Sequence, residues 1–447
     1  MGSEWRELPI SQMASIYIGG TPSRSVPEYW GGEIKWASAR DIASCTSRYI
    51  RETQETINAL GLEKSAAKML GRDTILITAR GTVGAICMLA EPMAFNQTCY
   101  GLVAMRNTDP AYLYYALKAS LSDIATISYG TVFNTITMSS FDALKIPQPP
   151  LPEQRAIAHI LGTLDDKIEL NRRMNETLEQ IARAIFKSWF VDFEPVRAKM
   201  SGRWKKGESL PGLPAHLWDL FPDRLVPSEL GDIPEGWKAG TIKDVLSELV
   251  TGSRPKGGAV VTGVPSIGAE NIIGLGRYDY SKEKYIPEEF FNQLKSRKAN
   301  VHNGDVLLYK DGAYIGRKTY FDFSFPHETC AINEHVFILR TRTPWLQRYL
   351  FLWLDLPAIT QEIIALNSSS AQPGINKAGV NGIPLLLPLD EIVNKFDQIV
   401  KPMFDRIFKN CLESRSLSSL RNLLLPKLIG GAIRLNNIEK FMENKTQ

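Results

Sequence analysis

The stretch DTILITARGTVG (73–84) returns, with its middle rewritten, as DVLLYKDGAYIG (305–316). Both begin with Asp, run through an apolar core and end in a Gly-containing turn. The offset is 232 residues, and other segments keep nearly the same one: GGTPSRS (19–25) faces TGSRPKG (251–257), and IKWASARDI (34–42) faces VPSIGAENI (264–272). Further on, AFNQ (94–97) faces AINE (331–334), and ALKIPQPPLPEQ (143–154) faces NGIPLLLPLDE (381–391). The order is kept and the offset drifts slowly, as loop insertions make it drift. A chain of 447 residues is also too long for one ordinary core. One fold is therefore expected twice. Each copy mixes short Val/Ile/Thr/Tyr-rich strands with Gly, Pro and Asn turns, which predicts an α+β module. YLYYALKASLSDIA (112–125) and WLQRYLFLWLDLPAIT (345–360) are its matching helical patches.

Each copy is followed by a long heptad pattern. Ile157, Leu161, Leu164, Ile168, Asn171, Asn175, Leu178, Ala182, Ile185 and Trp189 recur at alternating spacings of four and three. An offset of 239 turns these into Phe396, Val400, Met403, Ile407, Asn410, Ser414, Leu417, Arg421, Leu424 and Leu428. Both series read as a coiled-coil seam with a polar layer at one register. The competing reading is two amphipathic helices, each packed on its own module. A helix of this length spans roughly 57 Å, longer than such a module covers. Antiparallel pairing is therefore expected, with Asn171 and Asn175 near Asn410 and Ser414 and a pseudo-twofold, circular arrangement overall. Pro402 is expected to kink the second helix or to mark its start after a shorter helix at 390–401.

The expected organisation is a first module at 1–150, a helix at 151–192, a linker at 193–233, a second module at 234–387, a helical region at 388–434 and a polar tail at 435–447. The linker is rich in Pro and Gly, and its cations Arg197, Lys199, Arg203, Lys205 and Lys206 have no acid among them. Such a run reads as a solvated tether or as a contact for phosphate. Trp204, Trp218 and Phe221 argue that it packs on something. A composition of 44% apolar and 22% charged residues belongs to a soluble globular protein. No apolar run approaches membrane-spanning length, and MGSEWRELPI has no secretory pattern. Five scattered cysteines fit a reducing cytoplasm.

Catalytic signatures are missing. GAYIGRKT (312–319) falls one residue short of a phosphate loop and carries Arg in place of Lys. No G-x-G-x-x-G follows a strand, and no [DNS]-P-P-[FYW] or G-x-S-x-G occurs. His327, Cys330 and His335 match no common metal-ligand spacing. The chain reads as a reader or scaffold without a reaction, metal or cofactor of its own.

Four stretches carry a family resemblance: PPLPEQRAIAHILGTLDDKIELN (149–171), IARAIFKSWFVDFEPV (181–196), ELGDIPEGW (229–237) and LRNLLLPKLIGGAIR (420–434). Together they resemble the conserved regions of the specificity subunit of type I restriction-modification systems, over essentially the whole chain. The first module departs by beginning directly with EWRELPISQMASI, without an IPEGW-like lead. The resemblance implies two target recognition domains, each reading one half of a bipartite double-stranded DNA site, with the helices fixing their separation. It implies two modification subunits as partners, methylating adenine with S-adenosylmethionine, and through them restriction subunits that use ATP and Mg. A related system with a fused nuclease-methyltransferase partner is the nearest alternative. A duplicated protein-binding scaffold on a coiled-coil rod is the alternative from another class.

Residues that read DNA must be polar, on loops and within reach of base edges or phosphates. In the first module these are Thr21, Ser23, Arg24, Arg40, Arg80, Thr82 and Asn134. In the second they are Ser253, Arg254, Lys256, Lys310, Tyr314, Arg317, Lys318 and Gln372. Residues 1–150 hold thirteen Lys/Arg against thirteen Asp/Glu, and residues 234–387 hold seventeen against fifteen. Phosphate neutralisation dominates DNA affinity, so neither module is expected to grip DNA tightly alone.

Overall fold

The computed structural model describes residues 5–127, 135–369 and 374–435. The chain divides into two compact units, Met1–Glu169 with Arg415–Gln447 and Leu170–Ser414. In the first, strand Cys99–Ala104 lies between Ala14–Ile18 and Ile75–Thr78, and the sheet continues through Ile86–Leu89 to Tyr49–Ile50. A second sheet is centred on Trp30–Ala37 and Met93–Phe95. In the second unit, strand Val336–Thr341 takes the central place between Leu246–Thr251 and Val306–Tyr309. A three-stranded sheet of Tyr285–Ile286, Val264–Ile267 and Ala331–Ile332 accompanies it.

Backbone hydrogen bonds allow the two modules to be matched residue by residue. Ala79 N donates to Thr98 O (2.8 Å), as Lys310 N does to His335 O (3.0 Å). Ile136 N donates to Ala79 O (3.0 Å), as Ile375 N does to Lys310 O (2.8 Å). Tyr112 Oη reaches Pro147 O and Tyr349 Oη reaches Leu386 O, both at 2.7 Å. Strand Arg6–Pro9 pairs with Lys145–Gln148, as Lys238–Thr241 does with Pro384–Leu387. The first module thus has its opening strand despite the missing lead, with Trp5 buried as Trp237 is.

This match corrects the sequence register by one residue in two places. Asp73 N donates to Leu89 O, and the equivalent bond runs from Gly304 N to Phe321 O, both strand entries having positive φ (64° and 92°). Asp73 therefore corresponds to Gly304, and Asp305 corresponds to Thr74. Asp305 is buried and pairs with Arg340 through two bonds of 2.7 and 2.8 Å. The two motifs come back into step at Gly84 and Gly316, because the second module's loop is one residue longer. Likewise Ile18 pairs with Tyr100 and Thr251 with Phe337, which sets Gly19 opposite Gly252 and Thr21 opposite Arg254. The helical patches also differ: the first is one helix, Pro110–Ile127, whereas the second is divided into Trp345–Leu354 and Pro357–Ala365.

The long helices run from Leu151 to Phe190 and from Asp390 to Ile429. The second is continuous through Pro402, so a helix starting afresh after 401 is excluded. Pro402 is exposed, where its unsatisfied partner carbonyl lies on the solvent side of the helix. In the first unit, Ile157 and Leu161 share a core with Leu425, Leu428 and Ile429, while Arg421 Nη1 donates to Asp165 (2.5 Å) and Arg434 Nε to Glu153 (2.9 Å). In the second unit, Phe186, Trp189 and Phe190 pack their rings 5.1–5.9 Å from Phe396. Rising numbers on one helix meet falling numbers on the other in both units, so the pairing is antiparallel. The competing reading, in which each helix packs only on its own module, is thereby excluded, and the expected pairing holds.

A polar layer interrupts this seam. Asn171 is fully buried, and its Nδ2 donates to Glu413 (2.8 Å) and Ser414 Oγ (3.3 Å). Asn410 Nδ2 donates to Asn175 Oδ1 (2.8 Å), and Asn175 Nδ2 donates to Ile407 O (3.3 Å). Buried amides lower stability and fix register.

Residues 193–233 are folded, which corrects the tether expectation. A helix, Glu194–Met200, is followed by Trp204, Leu213, Leu217 and Phe221, all buried in the second unit's core. Arg203 pairs with Glu194 (2.7 Å) and Lys206 with Asp219 (2.8 Å). Lys199 donates to Phe221 O with its ammonium over the Trp218 ring (2.5 and 4.3 Å). Among the described residues no helix is long and apolar enough to cross a membrane.

Asn410→Ala leaves Asn175 without its donor in a buried seam and is expected to lower stability by about 1–3 kcal/mol in urea denaturation. Replacing Asn175 and Asn410 together by Leu is expected to restore or raise it. A neutral single substitution would contradict this reading of the layer.

Candidate nucleic-acid interface

Most of the described candidate residues lie on loops that follow the strands of each module. In the first module the loop after Ala14–Ile18 is pinned by Gly19: a Cβ there would lie 2.2 Å from Asn96 O. Thr21 Oγ1 donates to Gln97 Oε1 across this mouth. Ser23 Oγ is 2.8 Å from Ser25 Oγ, and Ser23 O accepts from Trp30 Nε1 (3.2 Å). Arg24 grips the Glu55 carboxylate with both terminal nitrogens, one bond at 2.7 Å, and lies over the Trp30 ring at 3.9 Å. That guanidinium holds the Glu55 carboxyl below its ordinary range. The stacked geometry leaves more than half of the Arg24 side chain exposed, a fixed and accessible cation. Arg40 is exposed in the first turn of Ala39–Ser44, which is capped by Ser38 and Asp41. Arg80 and Thr82 flank Gly81 and are exposed on a turn that also holds Gly84 (φ 78° and 85° at the two glycines).

In the second module, a Cβ on Gly252 would meet Ile332 O at 2.0 Å, pinning the matching loop. The Arg254 guanidinium pairs with Glu334, and Ser253 and Arg254 line a cleft of about 220 Å³ with Lys284 and Asn333. Lys256 is exposed on the same loop. Lys310, half-buried, has its ammonium 5.2 Å over the Phe337 ring. Arg317 stacks on Tyr314 at 3.9 Å, and both are exposed. Asn134 and Gln372 lie outside the described residues.

Lys318 is different. It is buried and donates to Leu354 O (2.7 Å) and Thr360 Oγ1 (2.5 Å), closing the end of helix Trp345–Leu354. Having left the surface it cannot reach a DNA groove, and it is withdrawn from the candidate set. Burial pulls its ammonium down to about 8.

Four further side chains join the mouths: Gln97 in the first module, and Glu334, His335 and Asp311 in the second. His335 Nδ1 is 2.8 Å from Asp311 Oδ2, and its Nε2 is 3.3 Å from Glu334. The signal for Gln97 and Glu334 was in the sequence: they are the varied final letter of the repeated AFNQ and AINE. Among the described residues no group of three His, Cys, Asp or Glu is placed to hold a metal. His327 instead lies beside Glu283, and Cys330 is buried.

A framework written twice, with differing polar loops and antiparallel helices, defines a duplicated two-module protein. Residues 2–180 match the model of the type I restriction modification DNA specificity domain. The type I restriction enzyme MjaIX specificity subunit of Methanocaldococcus jannaschii is 25% identical over 441 residues, covering 97% of this chain and 95% of that one. The HindI specificity subunit of Haemophilus influenzae is 28% identical over 346 residues, covering 69% and 73%. The crystal structure of a type I restriction-modification S subunit from M. genitalium shares the fold, with a TM-score of 0.55, 16% identity and coverage of 95% and 96%. The first 180 residues thus match a DNA specificity domain, and over nearly its whole length the chain is similar to specificity subunits of type I restriction enzymes.

The Lys318 environment makes a pH prediction. Its pKa is about 8 in the fold against an ordinary 10.5, so between these values the unfolded chain binds more protons and stability rises with pH. Wild type is therefore expected to gain on Lys318→Met by on the order of 3 kcal/mol across this window. Denaturant unfolding at a series of pH values measures the difference, and a flat difference would contradict it.

Proposed function

We propose that each module reads one half of a bipartite DNA site and that the paired helices set the unread spacing between halves. The observation that carries this reading is the duplication itself: one backbone framework holds unlike polar side chains at equivalent loop positions. Arg24 over Trp30 and Arg317 over Tyr314 offer planar donors matched to guanine O6 and N7 or to phosphate. Asn134 and Gln372 complete the proposed set as amides suited to adenine.

The chain acts with partners in this reading. Two modification subunits, carrying S-adenosylmethionine, methylate adenine at the site chosen here, and restriction subunits using ATP and Mg join through them in the cytoplasm. The proposed module limits are 1–150 and 234–387, followed by helical regions 151–192 and 388–434. Neither module has a marked excess of positive charge, and the loop cations Arg24 and Arg254 are already paired with carboxylates. The partners therefore supply much of the positive surface that surrounds the duplex.

Methylome sequencing tests this directly. A host carrying the chain with its partner subunits is expected to show a split adenine-methylated motif that vanishes on deletion of this gene. Exchange of residues 1–150 for those of a relative is expected to alter one half of the motif and preserve the other. Binding by the isolated chain is expected to be weak and steeply salt-dependent, and nanomolar specific binding by it alone would refute the role given to the partners.

A further inference from the structure

The residue match isolates one pair of positions in each module. Thr21 and Arg254 are equivalent, each two residues beyond a glycine that cannot accept a side chain. Gln97 and Glu334 are equivalent too, each following an Asn whose backbone N–H donates to the same place in the neighbouring strand: Asn96 to Ala37 O and Asn333 to Ile267 O, both at 3.0 Å. In each module the first residue donates to the carbonyl or carboxylate oxygen of the second. Geometry is thus constant while chemistry is exchanged, a hydroxyl–amide pair in one module and a guanidinium–carboxylate pair in the other.

The surroundings explain why this site can vary without disturbing the fold. The backbone on both sides is locked by the glycine contacts and by strand bonds on the module interior. The side chains themselves lie at the loop mouth: Gln97 is exposed, and the Arg254 side chain is 62% exposed. No structural demand on the backbone selects Thr–Gln over Arg–Glu. Gln offers the donor and acceptor that pair with adenine N6 and N7, whereas Arg offers two donors for guanine O6 and N7. Thr21 and Glu334 fix these groups at the loop mouth through the hydrogen bond and the ion pair.

We propose that Thr21–Gln97 and Arg254–Glu334 are the equivalent base-selecting pairs of the two modules, with Gln97 and Arg254 contacting the base and Thr21 and Glu334 positioning them. This rests on the reading of the chain as a bipartite DNA reader, and it names which side chains select. One position of the first half-site is then chosen by an amide and one position of the second by a guanidinium.

The test transplants one pair into the other module: Thr21→Arg with Gln97→Glu, in the full complex with its partner subunits. The graft introduces a pair that this backbone already holds in the second module, and an unchanged melting curve confirms folding. Methylome sequencing is expected to change the preferred base at one position of the first half-site, with the second half-site unchanged. Separately, Gln97→Ala and Arg254→Ala are each expected to reduce discrimination at one position by roughly tenfold or more. Purified complex on a panel of duplexes with single substitutions measures this.

Three results would overturn the proposal. One is an unchanged motif from the folded graft. Another is a uniform fall in affinity for every sequence with a shallower salt slope, which marks a phosphate contact. The third is a misfolded graft together with single alanine variants that retain full discrimination. A wild-type complex that produces no split motif would instead fail the bipartite reading itself, so the two failures are distinguishable.

Discussion

The molecule depends on a hydrophobic seam broken by amides. Each unit takes one part of both long helices, and in each the numbers run in opposite directions, from Glu153 opposite Arg434 to Phe190 opposite Phe396. Apolar packing supplies most of the stability here, since each buried large side chain is worth about 1.5–3 kcal/mol. Apolar packing alone tolerates sliding by a heptad. The layer of Asn171, Asn175 and Asn410 does not, because a slip strands amides in a dry interface without partners.

Register matters because the modules are built onto these helices by specific contacts. In the first unit Asp165 receives both Tyr115 Oη (2.7 Å) and Arg421 (2.5 Å), tying the module's own helix to both long ones. In the second unit Arg183 joins Glu179 (2.9 Å) to Asp355 (2.7 Å), the acid that also faces Lys318. Arg277 reaches Glu176 from the start of strand Arg277–Tyr278 (3.4 Å). The two modules solve the same docking problem with unrelated residues. The second also carries a part-buried Arg340–Asp305–Glu248 network where the first has Val103 and Thr74, so duplication preserved the backbone and left these side chains free to diverge.

The sequence indicates which candidate side chains are presented on loops, and where it misleads the causes are particular. Arg24, Arg254 and Arg317 are exposed as expected, because basic residues beside Gly and Pro turns lie at loop tips. Lys318 sits in the same string, GRKT, one residue beyond Arg317. Alternation along strand Lys318–Tyr320 turns it inward, a difference of face that composition does not carry. The linker cations failed similarly: Lys199, Arg203 and Lys206 look like a basic patch in order of sequence, but folding returns Phe221 O, Glu194 and Asp219 to them. Gln97 and Glu334 were visible as letters and not as partners, because Thr21 and Arg254 lie some eighty residues away in sequence.

The sequence by itself determined the duplication, the α+β class, the two heptad seams and the place of the polar layer. These are periodic or local properties, set by which residues recur and at what spacing. The tertiary structure decided the antiparallel pairing, the one-residue corrections that set Gly304 against Asp73 and Arg254 against Thr21, and the division between buried and presented cations. Those depend on backbone hydrogen bonds between distant strands, and a one-residue change of register reverses the face on which a side chain stands. Composition cannot express that choice, because the same residue is present whichever way it points.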